Sequence, residues 1–126
     1  MRIFVTGGSG LTGPAIVAEL IASGHTVLGL ARSDQAAARL RALGAETLRG
    51  SLEELDSLRE GARATDGVIH MAFGGSFGDP DDLIRRDVTA IETLGRTLVG
   101  SGKPFVMYLR HARDGSRPRQ HRAGRA

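Results

Sequence analysis

The sequence predicts an α/β fold in which a doubly wound parallel sheet is covered by helices. Three observations carry that expectation. Short apolar runs alternate with amphipathic stretches along residues 1–109, a glycine-rich segment separates the first run from the first helix, and there is no internal repeat. Alternating strands and helices demand parallel pairing with right-handed crossovers. Five strands and four helices fit, in the order 3-2-1-4-5. A ligand is then expected at the carboxyl ends of strands one and four, where the topology switches.

Ile3-Phe4-Val5 reads as the first strand, apolar throughout because parallel strands are buried on both faces. A helix over 11–23 follows, with Ile16, Val17, Leu20 and Ile21 on one face and Gly24 as its stop. Residues 26–30 form the second strand. Ser33 or Asp34 caps a helix over 35–43 that ends at Gly44. Glu46-Thr47-Leu48 gives a short third strand. Leu52, Leu55 and Leu58 line a third helix ending near Gly61, and residues 67–72 make the fourth strand. After a Gly/Asp/Pro loop at 74–82, a long helix over about 82–100 should turn Leu83, Ile84, Val88, Ile91, Leu94 and Leu98 inward. Residues 104–109 are the fifth strand.

Thr6-Gly7-Gly8-Ser9-Gly10-Leu11-Thr12-Gly13 follows the first strand directly and opens the first helix. In such a turn one glycine permits the sharp bend, one lets backbone approach a pyrophosphate, and one lets helix pack on strand. The helix terminus then offers unpaired N–H groups and its positive dipole end to the anion. An ordinary glycine turn lacks this strand–turn–helix context. Gly7, Gly10 and Gly13 are therefore expected to shape a dinucleotide site, with Ser9, Leu11 and Thr12 supplying backbone and hydroxyl donors. Strand two ends Leu30-Ala31-Arg32-Ser33, where an NAD site usually carries an acid. Arg32, with Ser33 beside it, can instead pair with a 2′-phosphate. That favours NADP, with NAD as the alternative; a solvated strand-end arginine is the other reading.

The bulk numbers narrow the field. The 126 residues contain no cysteine, so neither a disulfide framework nor a thiolate metal site is expected. The four histidines lack metal-ligand spacing. No apolar run approaches the about 18 residues of a membrane span, and residues 1–13 do not read as a signal peptide. The expectation is a cytoplasmic protein with no membrane partner. The net charge of +3 is misleading, since residues 1–109 carry −2 and residues 110–126 carry +5.

At this point the residues resemble a family. Thr-Gly-x-x-Gly-x-x-Gly at Thr6–Gly13 is similar to the amino-terminal signature of extended and atypical short-chain dehydrogenases/reductases, including the NAD-dependent epimerase/dehydratase group. Gly50-Ser51-Leu52 stands where the family often has Gly-Asp-Leu, His70-Met71-Ala72-Phe73 resembles His-x-Ala-Ala, and Asp87-Val88-Thr89-Ala90 lies where many members have Asn-Val-x-Gly. The resemblance implies a Rossmann-type domain over 1–109, with Ser51, Leu52, Met71 and Ala72 lining adenine and ribose. It also implies a Tyr-x-x-x-Lys pair after strand five. The single tyrosine, Tyr108, follows the single lysine, Lys103, so this chain cannot build that pair. No catalytic residue is assigned, and whether the chain is an enzyme stays open.

Residues 110–126 carry six arginines and no hydrophobic periodicity, and are expected to be disordered or a frameshift product. Back-translated with G/C-rich codons and shifted by one nucleotide, the stretch from Met107 can read as the Ser-bearing segment that usually follows strand five. The domain is accordingly expected to be incomplete. Three functions remain in play. The first is the cofactor-binding part of an epimerase/dehydratase-like or reductase-like enzyme, whose small-molecule substrate the sequence does not name. The second is a non-catalytic NADP-binding redox sensor. The third takes the tail as a nucleic-acid or acidic-partner arm, which is disfavoured because no aromatics are interleaved with the arginines. Strand five would be an exposed sheet edge, and such edges invite pairing, so a homodimer or aggregation is expected.

Overall fold

A computed structural model describes residues 1–8, 13–73, 80–110 and 119–123. The elements run β1 (Arg2–Thr6), α1 (Gly13–Ala22), β2 (Thr26–Ala31), α2 (Asp34–Ala42), β3 (Glu46–Arg49), α3 (Leu55–Ala64), β4 (Gly67–Phe73), α4 (Pro80–Leu98), β5 (Phe105–Arg110) and β6 (Arg119–Ala123). The sheet order is β3-β2-β1-β4-β5-β6. The first five strands are parallel in the expected order 3-2-1-4-5. β6 differs from expectation: part of the arginine-rich tail pairs antiparallel with β5, from Phe105↔Ala123 to Leu109↔Arg119. β5 is therefore not the sheet edge; β6 takes that place.

The period-two alternation of each strand sorts its side chains into two cores. Ile3, Val5, Val27, Ala31 and Met71 face α1 and α2, meeting Val17, Ala37 and Leu40. Phe4, Leu28, Leu30 and Val68 face α3 and α4, meeting Leu58, Ala62, Ala90, Leu94 and Leu98.

Two expectations are corrected. Gly61 does not stop α3 but lies inside it, and a Cβ there would sit 2.3 Å from Cζ of the buried Phe4. Glycine lets α3 close onto the sheet. In α4 the inward stripe is Ala90, Thr93, Leu94 and Leu98, whereas Ile84 and Val88 are exposed. The apolar residues of this helix span more than one face, and the sheet covers only one of them. The Leu83 side chain lies outside the described residues. Among the described residues no helix is long and apolar enough to cross a membrane.

Candidate functional site

Parallel register brings the carboxyl ends of four strands to one edge. Thr6 of β1 lies opposite His70 of β4, and Ala31 of β2 opposite Arg49 of β3. Because β2 and β4 flank β1 on opposite sides, a crevice opens above β1, between the crossovers that leave for the two faces.

The described ends of the glycine segment, Gly7–Gly8 and Gly13, meet at this crevice. Gly7 has φ +79°, in the left-handed region that favours glycine, and a Cβ there would lie 2.9 Å from the Met71 carbonyl oxygen. Gly13 opens α1 and is seated on the start of the same segment: a Cβ would lie 2.4 Å from the carbonyl oxygens of both Gly7 and Gly8. Backbone thus packs on backbone, and the amino terminus of α1 is held over the end of β1. The first N–H groups of a helix have no intrahelical acceptor. A terminus fixed in this way suits a phosphate or pyrophosphate, which needs close backbone approach and no side-chain charge. Ser9, Gly10, Leu11 and Thr12 lie outside the described residues.

The other expected residues ring this edge. Arg32 follows β2 directly, is exposed, and has no ion-pair or hydrogen-bond partner among the described residues. Ser33 is the N-cap of α2, its hydroxyl oxygen accepting from the Ala36 N–H at 3.1 Å. That oxygen is committed to the helix, which leaves the hydroxyl proton to donate. Ser51 accepts from the Glu54 N–H at 3.3 Å, and Leu52 is half-buried against the α3/α4 core. Leu52 also lines a shallow concavity with Leu55, Arg85 and Thr89. Met71 is buried beside Gly7, and Ala72 is placed by its backbone pairing with Leu109.

Two features escaped sequence reasoning. Arg49, opposite Ala31 at the end of β3, forms an ion pair with Asp34 in the first turn of α2. The other is a buried polar cluster. The Thr6 hydroxyl is 2.5 Å from His70 Nδ1, and His70 Nε2 is 3.5 Å from Asp87 Oδ1 on α4. His70 is the only strongly polar residue in β4, which was the available signal. The single lysine lies far from this edge. Lys103 precedes β5 and donates to the carbonyls of Ala62 and Arg63, at 3.2 and 3.3 Å, capping the end of α3. Tyr108 lies in β5, paired through its backbone with Met71.

Residues 3–108 match the NAD dependent epimerase/dehydratase family. An uncharacterized protein of Saccharomyces cerevisiae is 44% identical over 108 residues, 84% of this chain and 36% of the yeast protein. The 4-hydroxy-2-methyl-3-oxo-4-farnesyl-3,4-dihydroquinoline-1-oxide ketoreductase of Stigmatella aurantiaca is 44% identical over 95 residues, 75% of this chain and 28% of its own. A Bacillus halodurans structure described as an NAD-dependent epimerase/dehydratase superposes with a TM-score of 0.73 at 29% identity, covering 85% of this chain and 50% of that one. The chain spans about a third of the length of the curated relatives it matches.

Proposed function

The chain belongs to the NAD dependent epimerase/dehydratase family, and from that premise we propose that residues 1–109 are its NADP-binding Rossmann part. The observation that carries the reading is Gly13 seated on Gly7 and Gly8, which makes the amino terminus of α1 a pyrophosphate cradle. Gly7, Gly10 and Gly13 shape it, and Ser9, Leu11 and Thr12 donate. Arg32 takes the adenosine 2′-phosphate, with Ser33 donating its hydroxyl proton nearby. Ser51, Leu52, Met71 and Ala72 line adenine and ribose. A bound nicotinamide supplies redox chemistry. This chain's own residues bind and orient it, and none of them is assigned a proton-transfer role.

The reading is reductase-like, supported by the ketoreductase relative. Equilibrium titration with NADP tests the site itself. Gly10→Val should abolish binding by closing off backbone approach to the phosphates; a folded variant with unchanged affinity would remove the cradle from consideration.

A further inference from the structure

His70, Thr6 and Asp87 form a polar line through a largely apolar layer. Thr6 and His70 are fully buried, and Asp87 is 19% exposed. All three lie on the α3/α4 side of the sheet, and Thr6 is the last residue before the glycine segment. Among the described residues His70 Nε2 has no hydrogen-bond partner, and the Asp87 carboxylate lies 3.5 Å from it.

The protonation pattern follows from the donor and acceptor inventory. An ionised carboxylate only accepts, so a lone pair on Nε2 would face another lone pair, whereas an Nε2–H faces an acceptor. The Nε2–H tautomer thus sets a donor against the Asp87 carboxylate. Nδ1 then carries the lone pair, and the Thr6 hydroxyl donates to it at 2.5 Å. An asparagine at position 87, as the family resemblance would place there, both donates and accepts. It would leave either tautomer open.

We propose that Asp87 fixes His70 in its Nε2–H tautomer, and that His70 thereby acts as a positioning residue that locks Thr6 and the start of the glycine segment. The Gly7 backbone packs against Met71, the neighbour of His70, so a shift of Thr6 carries directly into the cradle. The coupling joins α4 on one face of the sheet to the pyrophosphate segment that leads to α1 on the other. Its nucleotide-binding consequence rests on the dinucleotide reading above; its tautomer does not.

The test is long-range proton–nitrogen correlation NMR on the nitrogen-15-labelled 126-residue chain. His70 should show a protonated Nε2 and an unprotonated Nδ1. Asp87→Asn should mix the tautomers and move the Gly7 and Gly8 amide resonances, while Gly24 and Gly44, at helix ends remote from the cluster, stay in place. NADP affinity should fall about fivefold, the size expected when the buried Thr6–His70 hydrogen bond is disturbed. Thr6→Val should weaken binding similarly, and Thr6→Ser should restore it. A protonated Nδ1 in the native chain overturns the proposal, as does an Asp87→Asn spectrum with tautomer and glycine amides unchanged. Shifted amides with unchanged NADP affinity overturn the positioning role. Expected tautomer and amide shifts in a chain that takes up no NADP would uphold the coupling and refute the dinucleotide reading instead.

Discussion

Replacing Gly13 by alanine adds one methyl group at the point where α1 meets the glycine segment. That methyl would lie 2.4 Å from Gly7 O, Gly8 C and Gly8 O. All three are backbone atoms, so no side-chain rotation relieves the overlap. Ordinary contact begins near 3.5 Å, so α1 and the segment must part by about 1 Å. Overpacking of this kind costs about 1–3 kcal/mol. For a chain of 126 residues that corresponds to a drop in Tm of about 4 °C per kcal/mol. The displacement also lifts the helix terminus away from the bound phosphates, so NADP affinity should fall at least about tenfold, a loss of about 1.4 kcal/mol. Differential scanning fluorimetry with and without NADP reads both effects. The native chain should gain Tm on adding NADP, and Gly13→Ala should start lower and gain little. A Gly13→Ala variant with native Tm and native NADP shift would refute both the packing argument and the cradle.

Other substitutions separate packing from binding. Gly61→Ala would place its Cβ 2.3 Å from the ring of Phe4, and urea denaturation should show a loss of about 1–3 kcal/mol despite the better helix former. Gly95→Ala, in α4 with nothing within 4 Å of the added Cβ, should stabilise by about 0.5–1 kcal/mol in the same assay. Leu94→Ala, at a fully buried position of the α3/α4 core, should cost about 2–5 kcal/mol. Arg32→Ala should leave stability unchanged while NADP affinity falls about tenfold and NAD affinity holds, because only the 2′-phosphate loses a charge-assisted partner.

The parallel core was legible because its physics is local. Ile3-Phe4-Val5 and Val68-Ile69 are apolar on both faces, Ser33 is a capping residue, and Gly24 and Gly44 follow helices at positive φ. The glycine segment announced itself through its neighbours. What was not legible depends on distant partners. Arg119-Gln120-His121-Arg122-Ala123 has no strand pattern, since an edge strand can be held by backbone pairing alone. Gly61 looked like a helix stop because nothing in α3 shows that Phe4, more than fifty residues earlier, needs the space. Ile84 and Val88 fit an inward helical face by spacing, but the sheet reaches only the Ala90–Leu94–Leu98 stripe. The meeting of Thr6, His70 and Asp87 joins three elements and requires the β1–β4 register to be known.

The proposed function has the edge above β1 hold a nicotinamide dinucleotide and Arg32 select the phosphorylated form. Calorimetric titration of the purified chain with NADP and with NAD tests it most directly. Saturable one-site binding of both is expected, with NADP about tenfold tighter. A folded chain that binds neither, or that binds NAD more tightly, would contradict it.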